Sequence, residues 1–193
     1  MCGGRGFDMA VIARRADNPP VLGLGVHRVV DLDGRWWVGH TRSRCEKASA
    51  WEFEERGIGY FLPMIWKTHI SSGKRRRSLL PLFPSYIFFC GDETVRQMAL
   101  GTNRLCQVIP VAEQDRFVSE LAGIEQALAS RTPVELYRHA AVGRRCRIAS
   151  GSLKGLEGVV VSRGRRARLV LEVSMLGQGA LVEIEADLLE PAE

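Results

Sequence analysis

The pattern of hydrophobic and polar positions changes along the chain. Up to residue 129, short apolar runs alternate with segments whose apolar positions recur every three or four residues, as on one face of an α-helix. Beyond residue 141 this helical spacing disappears, and apolar residues alternate with charged ones as in half-buried β-strands. The chain therefore predicts a mixed α/β region followed by an all-β region. The clearest helical stripe consists of Phe117, Leu121, Ile124 and Leu128.

The mixed region begins with a predicted strand and a predicted helix. The run from Trp36 to about Thr41 is rich in aromatic and β-branched residues and predicts the strand. Ser43 and Glu46 have the spacing of a capping box, in which each side chain bonds a backbone N–H at the start of a helix. The helix is therefore predicted over residues 44–56.

Two long extended segments follow this helix. Residues 58–70 and 78–90 are rich in aromatic and β-branched side chains, and the sequence SSGKRRR between them predicts a loop. The two segments are therefore expected to run antiparallel to each other. Asp92 is placed to cap a short helix that ends at residue 100, and residues 105–109 predict one more strand. The resulting order is strand, helix, strand, strand, helix, strand, helix.

Changes in composition divide the chain into four parts. The first is an N-terminal extension in which Asp33 and Gly34 lie between two β-prone runs, so that residues 21–34 form either a strand or hairpin or a loosely held tail. The second is the mixed region, the third is a polar linker, and the fourth predicts a small β-barrel of short strands divided by glycine turns. The parts are residues 1–34, 35–129, 130–140 and 141–193.

Composition narrows the class of protein. The chain has 193 residues, of which 46% are hydrophobic and 25% charged, which is typical of a globular protein with one or two domains. Its apolar runs are too short for a transmembrane helix or a secretory signal, so we expect a cytoplasmic protein without a membrane partner. The five cysteines are scattered without metal-ligand spacing, and we expect no metal and no cofactor. The net charge of +5 favours polyanionic neighbours such as nucleic acid or ribosomes.

Two motifs in a defined order resemble the NusG family of transcription elongation factors. The first is the pair RWWVGHTRSR and LPLFPSYIFF, and the second is VGRRCRIASGSLKGLEGVVV, which is similar to the KOW motif. The resemblance extends over nearly all of residues 35–191. It implies an α+β protein, in which an N-terminal, mainly antiparallel α/β sandwich is followed by a small SH3-like KOW barrel.

The resemblance also implies a function. In this family the N-terminal domain binds the clamp helices of the largest catalytic subunit of RNA polymerase and favours processive elongation, and the KOW domain recruits a further partner such as a ribosomal protein or a termination factor. The segment PMIWKTHISSGKRRRSLLPLFPSYIFF looks closer to specialised paralogues, including antitermination factors, than to the general factor. We therefore expect a monomeric, non-enzymatic transcription factor that acts on a subset of operons.

The aromatic segment PLFPSYIFF is the first candidate site. On a strand, Phe83, Ile87 and Phe89 point to one side while Tyr86 and Phe88 point to the other, so that one set serves the core and the other a partner. The alternative is that all four aromatic residues belong to the core. The family resemblance implies that the polymerase-binding residues are Phe83, Pro84, Tyr86, Phe88 and His40.

Basic and glycine-rich segments supply the other candidates. Lys74, Arg75, Arg76 and Arg77 are contiguous in the predicted loop and are either a solvated hairpin tip or a contact to DNA, RNA or an acidic surface. The resemblance places Leu153 at an exposed position that contacts the KOW partner. The remaining candidates are Lys154, Arg163 and Arg165 for the same partner, and Gly151, Gly155 and Gly158 as structural turn residues.

Two other functions compete with this interpretation. A KOW-type protein associated with RNA or the ribosome, without polymerase clamping, predicts that affinity resides in the arginine-rich barrel and falls steeply with salt. An enzyme is the third possibility, but the four histidines are isolated in sequence and no P-loop, G-x-S-x-G or H-E-x-x-H pattern is present.

Overall fold

Two antiparallel sheets and a separate hairpin organise the chain. The computed structural model describes residues 18–192 apart from 72, 131, 140, 163 and 164. The first six strands are β1 (Trp36–Thr41), β2 (Gly59–Phe61), β3 (Met64–Ser71), β4 (Lys74–Pro81), β5 (Tyr86–Cys90) and β6 (Leu105–Pro110). The first sheet has the order β2-β5-β1-β6, and β3 pairs only with β4. Together with the helices, these sheets confirm the predicted α+β class.

Prolines break each of the two predicted extended segments. The first becomes β2 and β3, which are separated at Pro63, and the second becomes β4 and β5, which are separated by the turn that contains Pro84. Proline has no N–H to donate to a ladder, so each strand ends where a proline interrupts it. The prediction that SSGKRRR is a loop is wrong, because its four basic residues lie on β4 and pair with β3.

Three helices are present in the described part of the chain: α1 (Glu46–Glu55), α2 (Glu93–Leu100) and α3 (Gln114–Ala129). The predicted capping box at the start of α1 does not form, since Cys45 is the N-cap residue and makes no side-chain capping bond. The predicted cap of α2 is confirmed, because the Asp92 carboxylate accepts a hydrogen bond from the Val95 N–H at 2.9 Å.

Removing the α2 cap provides a simple stability test. We expect Asp92→Ala to lower the free energy of unfolding by about 1 kcal/mol, because the substitution leaves a helix N–H without its acceptor. Urea denaturation followed by circular dichroism measures this change. Asp115→Ala, at an exposed first-turn position of α3, is the control and should change stability by less. Equal stability of the parent and Asp92→Ala would contradict the assigned cap.

Helices cover both faces of the first sheet. On one face, Phe53 of α1 and Ala99 of α2 pack in a cluster with Ile87 and Phe89. On the other face, Phe117 of α3 packs against an aromatic cluster in the sheet. The predicted stripe of α3 accounts for this contact, because its first three members are buried and the fourth is half-buried.

The segment that precedes β1 is packed against the first sheet. The Leu62 N–H donates to the Val21 carbonyl at 2.7 Å, and the Gly23 N–H donates to the Tyr60 carbonyl at 2.9 Å. Val29, in a short 3₁₀ turn, is fully buried. The described residues of 21–34 form neither a hairpin nor a loose tail, and the predicted strand is limited to an isolated antiparallel bridge between Leu22 and Phe61. Residues 1–17 of the predicted extension lie outside the described residues.

The second sheet contains the C-terminal strands. These are β7 (Val134–Tyr137), β8 (Arg144–Ile148), β9 (Glu157–Ser162), β10 (Arg166–Val173), β11 (Gln178–Glu185) and β12 (Leu189–Pro191), in the order β12-β8-β9-β10-β11-β7. The segment predicted as a linker therefore contributes a strand, because β7 pairs with β11. The alternation of apolar and charged residues buries one set of side chains along β10 and β11, as the sequence pattern predicts.

Helix α3 also contacts the second sheet. The Arg116 guanidinium donates to the Ser174 hydroxyl at 2.7 Å, and the Ser174 N–H donates to the Glu120 carboxylate at 3.0 Å. Further along the helix, the Gln126 amide donates to the Ser152 carbonyl at 3.1 Å. One helix therefore packs on the first sheet with its apolar stripe and hydrogen-bonds, with its polar side chains, the connections between strands of the second sheet.

Candidate functional site

The partly exposed end of the β1–β5 ladder holds two of the predicted site residues. His40 and Tyr86 are direct partners in the antiparallel register, and their ring centroids lie 5.2 Å apart. Both side chains are half-buried, and the neighbouring Pro84 is exposed. We call His40, Pro84 and Tyr86 the rim surface. It presents two rings and a proline on a rigid ladder. Aromatic side chains held in this way are typical anchors for a protein partner.

A buried carboxylate fixes the turn that presents the rim surface. Glu46 Oε1 accepts a hydrogen bond from the Ser85 N–H at 2.6 Å, and the Ser85 carbonyl accepts one from the Thr41 N–H at 2.8 Å. Ser85 has a φ of 66°, which is uncommon for a residue with a side chain. Sequence reasoning missed this role of Glu46, because the capping-box pattern assigned its side chain to α1.

Two predicted contact residues lie in the core instead. Phe83 and Phe88 are both 0% exposed. The ring of Phe88 lies 5.8 Å from that of Phe83 and 5.6 Å from that of Phe117 on α3. The prediction that these residues line a surface open to a partner is therefore corrected. Phe83 also lies on the same side of the sheet as Phe88, because the left-handed turn at Ser85 reverses the alternation.

The hairpin of β3 and β4 carries the basic candidates. Lys74, Arg75, Arg76 and Arg77 are all exposed. At the base of the hairpin, the Lys47 ammonium donates to the Leu79 carbonyl and, at 2.6 Å, to the Asn18 side chain. Partial burial lowers the pKa of Lys47, and the nearby Glu46 carboxylate opposes that effect. Lys47 thus anchors the base, and the rest of the hairpin projects into solvent.

The C-terminal candidates separate into buried and exposed residues. Leu153 is only 3% exposed and belongs to the core, so the prediction that it is an exposed contact is wrong. Its neighbour Lys154 is exposed, as is Arg165, while Arg163 lies outside the described residues. A turn explains the difference, since Gly151 and Gly155 have φ values of 88° and 87° and fold the backbone so that Leu153 points inward.

Gly158 is required for close backbone packing and not for turn geometry. Its φ is not positive, but a Cβ atom built there would lie 2.5 Å from the Val170 carbonyl oxygen of the adjacent strand β10. Such an approach is too close for any side chain. The three glycines of this segment therefore serve the backbone in two ways, by turn geometry at two positions and by close packing at the third.

A sequence model of the family described as "Transcription termination factor nusG" matches residues 34–136. This match covers more than half of the chain and includes the rim surface and the hairpin. The chain belongs to the NusG family. Members of the NusG family are non-enzymatic transcription factors, and membership of this family supports a place among transcription elongation factors.

Solved structures also resemble this NusG-family chain. One, titled "Domain interaction in Thermotoga maritima NusG", has 17% sequence identity and a TM-score of 0.49, and the match covers 82% of this chain and 97% of that chain. Another is an MjSpt4:Spt5 complex in conformation B, with 13% identity, a TM-score of 0.27 and the same coverages. No curated protein matches the chain.

Two negative findings apply to the described residues of this NusG-family chain. No group of three or more His, Cys, Asp or Glu side chains in that part of the chain is arranged to hold a metal ion. None of the helices found there is long and apolar enough to cross a membrane.

Proposed function

We propose that this protein is a transcription elongation or antitermination factor that binds RNA polymerase through its N-terminal region and promotes processive elongation. The clamp helices of the largest catalytic subunit contact the rim surface. The observation that carries this proposal is the half-exposed pair of His40 and Tyr86, which the Glu46–Ser85 hydrogen bond holds at the end of a rigid ladder. Rigid aromatic side chains concentrate binding energy because they lose little conformational entropy on association.

Two further contacts complete the proposed assembly. The exposed cations of β4 approach nucleic-acid phosphates or an acidic surface of the polymerase, which gives a salt-sensitive contact without sequence preference. The C-terminal sheet recruits a second partner, such as a ribosomal protein or a termination factor, through the exposed Lys154 and Arg165 and through Arg163. Leu153 is not part of this contact because it is buried.

Charge balance favours polymerase binding over the alternative of a KOW protein that binds RNA or the ribosome by itself. Residues 141–193 carry eight Lys or Arg and seven Asp or Glu residues, so this part of the chain is nearly neutral. A sheet of that composition lacks the strong positive field that sequence-independent RNA binding requires.

Truncation of the rim surface tests the proposal. We expect Tyr86→Ala to weaken binding of the full chain to the polymerase clamp region by roughly 30-fold, which corresponds to about 2 kcal/mol for a central aromatic anchor. Titration calorimetry measures the affinity, and circular dichroism verifies the fold of the variant.

Tyr137→Ala is the matched control for this experiment. Tyr137 is also half-buried and also packs against a histidine, His139, at 6.2 Å between ring centroids, but it lies on the second sheet. Its substitution should leave the affinity for the clamp region unchanged. Absence of binding by the parent protein, or equal decreases in affinity for both variants, would contradict the proposed role of the rim surface.

A further inference from the structure

The β3–β4 hairpin has two chemically different faces. Directly paired residues of an antiparallel ladder point to the same side, and successive residues alternate. The register pairs Thr68 with Arg77 and Ile70 with Arg75, and these four residues share one face with Trp66. We call this the Trp66 face. The opposite face carries Lys67, His69, Arg76 and Lys74.

The Trp66 face exposes apolar side chains to an unusual extent. Trp66 is 55% exposed and Ile70 is 74% exposed, which makes Ile70 one of the most exposed large hydrophobic residues in the described part of the chain. The guanidinium of Arg77 lies over the Trp66 ring at 4.9 Å from its centroid. The ring is therefore held by a cation on one side and is open for a second flat group.

The whole formal net charge of the protein resides in this hairpin. Residues 64–81 contain five Lys or Arg residues and no Asp or Glu, so the remainder of the chain has twenty-two of each sign. Among the described residues, none of the five cations lies within 4.0 Å of a carboxylate. These charges are thus available to an external polyanion.

A groove runs between the hairpin and the connection from α3 to β7. It encloses about 770 Å³, and its walls include Trp66 and Arg77 on one side and Thr132, Pro133 and Arg138 on the other. The groove therefore offers an aromatic surface, a proline and cations from two separate elements, together with one carboxylate, Glu135. Cations beside an aromatic ring match the alternating phosphates and flat bases of a nucleic-acid strand.

We propose that this groove binds single-stranded nucleic acid, with a base stacked on Trp66 and phosphates held by Arg77 and Arg138 in the groove and by Arg75 on the adjoining part of the Trp66 face. A single strand is required because the faces of bases in a duplex are already stacked on their neighbours. The inference deepens the hairpin contact described under the proposed function and rests on that function, which brings the hairpin near a melted strand or a nascent transcript. Binding by this groove has no sequence preference, since every base has a flat face.

The test uses the full-length protein and a fluorescent oligothymidylate of about 12 nucleotides, a length within the range that single-strand binding surfaces cover. We expect Trp66→Ala to weaken binding, measured by fluorescence anisotropy, by about tenfold, because the substitution removes the ring on which a base stacks. Trp66→Phe keeps a ring and should recover most of the affinity. Equal affinities of the parent and Trp66→Ala would overturn the proposal.

Tryptophan fluorescence reports on base stacking, whereas contacts between charged groups alone leave it unchanged. Of the four tryptophans, Trp36 and Trp37 are buried, Trp51 on α1 is half-buried, and Trp66 is the most exposed at 55%. A stacked base quenches an exposed indole, so the unlabelled oligonucleotide should quench the parent protein, and Trp66→Phe should lose this quenching while still binding. Quenching that persists in Trp66→Phe would contradict stacking at this residue.

Charge variants and a duplex complete the test. The slope of the logarithm of the binding constant against the logarithm of the salt concentration should become less steep in the double variant Arg75→Gln, Arg77→Gln, by about 0.7 for each phosphate that the protein no longer neutralises. Arg28→Gln, at an exposed position outside the hairpin, should leave this slope unchanged. A duplex of the same length should bind more weakly and be insensitive to Trp66→Ala. Tighter binding of the duplex, or equal competition by poly-glutamate, would overturn the proposal in favour of a simple charge contact or an acidic protein partner.

The proposed function and this inference can be refuted independently, because different variants test them. Tyr86→Ala leaves the groove intact and should bind the oligonucleotide like the parent, while Trp66→Ala leaves the rim surface intact and should bind the clamp region like the parent. Loss of clamp binding together with retained oligonucleotide binding in Trp66→Ala would assign Trp66 to a protein contact and overturn the inference alone.

Discussion

Replacement of Phe88 by alanine is expected to lower the free energy of unfolding by about 3–5 kcal/mol. Phe88 is 0% exposed, and its ring contacts those of Phe61, Phe83 and Phe117. The substitution removes the apolar packing of a whole ring and leaves a cavity between the first sheet and α3. Because the neighbouring rings belong to β2, the proline turn and α3, they cannot all move inward to fill it.

Urea denaturation of the parent and Phe88→Ala measures this decrease in stability. Tyr86→Ala, two residues away at the half-exposed end of the same strand, is the matched variant and should be clearly more stable than Phe88→Ala. The two variants thus separate a core role from a contact role within one segment. A Phe88→Ala protein that keeps full stability but loses affinity for the clamp region would show that Phe88 is a contact residue and that the packing described above is wrong.

Leu153→Ala is expected to have the second largest effect, a decrease of about 2–5 kcal/mol in the free energy of unfolding. Leu153 is held inside the C-terminal core by the turn between Gly151 and Gly155. The reason for the decrease is again a cavity, since the turn is fixed by the hydrogen bond from the Gly155 N–H to the Ile148 carbonyl at 2.8 Å. The backbone therefore has little freedom to close around a smaller side chain.

The control for Leu153→Ala is the next residue. Lys154 is exposed, and Lys154→Ala should change stability by no more than about 0.5 kcal/mol. Thermal unfolding followed by circular dichroism compares the two variants. Unchanged stability of Leu153→Ala, combined with loss of a binding partner of the C-terminal sheet, would restore the exposed position that the family resemblance implies.

The sequence predicted features that depend on local periodicity. The alternation from Tyr86 to Phe89 distributes side chains to the two faces as expected, because a strand reverses side at each residue. The stripe of α3 and the Asp92 cap also form as predicted, since both depend on neighbours within a few residues. The family membership was likewise predictable, because two motifs in a fixed order identify it.

The features that the sequence did not reveal depend on distant residues. The sequence pattern predicts a capping box for Glu46, but the N–H of Ser85, thirty-nine positions away, donates to its carboxylate. Strand alternation predicts the wrong side of the sheet for Phe83, because the left-handed conformation of Ser85 has no signature in sequence spacing. The sequence predicts a loop for Lys74 and the following arginines, although pairing with β3 extends the hairpin almost to its tip. In each case a tertiary interaction overrode the local pattern.

The position of the charge in the hairpin has a consequence for the rate and direction of encounter. A neutral body with five cations on one projecting arm is an electric dipole, and the field of a polyanion exerts a torque on it before the two molecules touch. The molecule therefore approaches hairpin first, and fewer collisions occur in wrong orientations. Counter-ions shorten the reach of this torque to about 8 Å at physiological ionic strength, so the orientation is selected within the last few solvent layers between the two molecules.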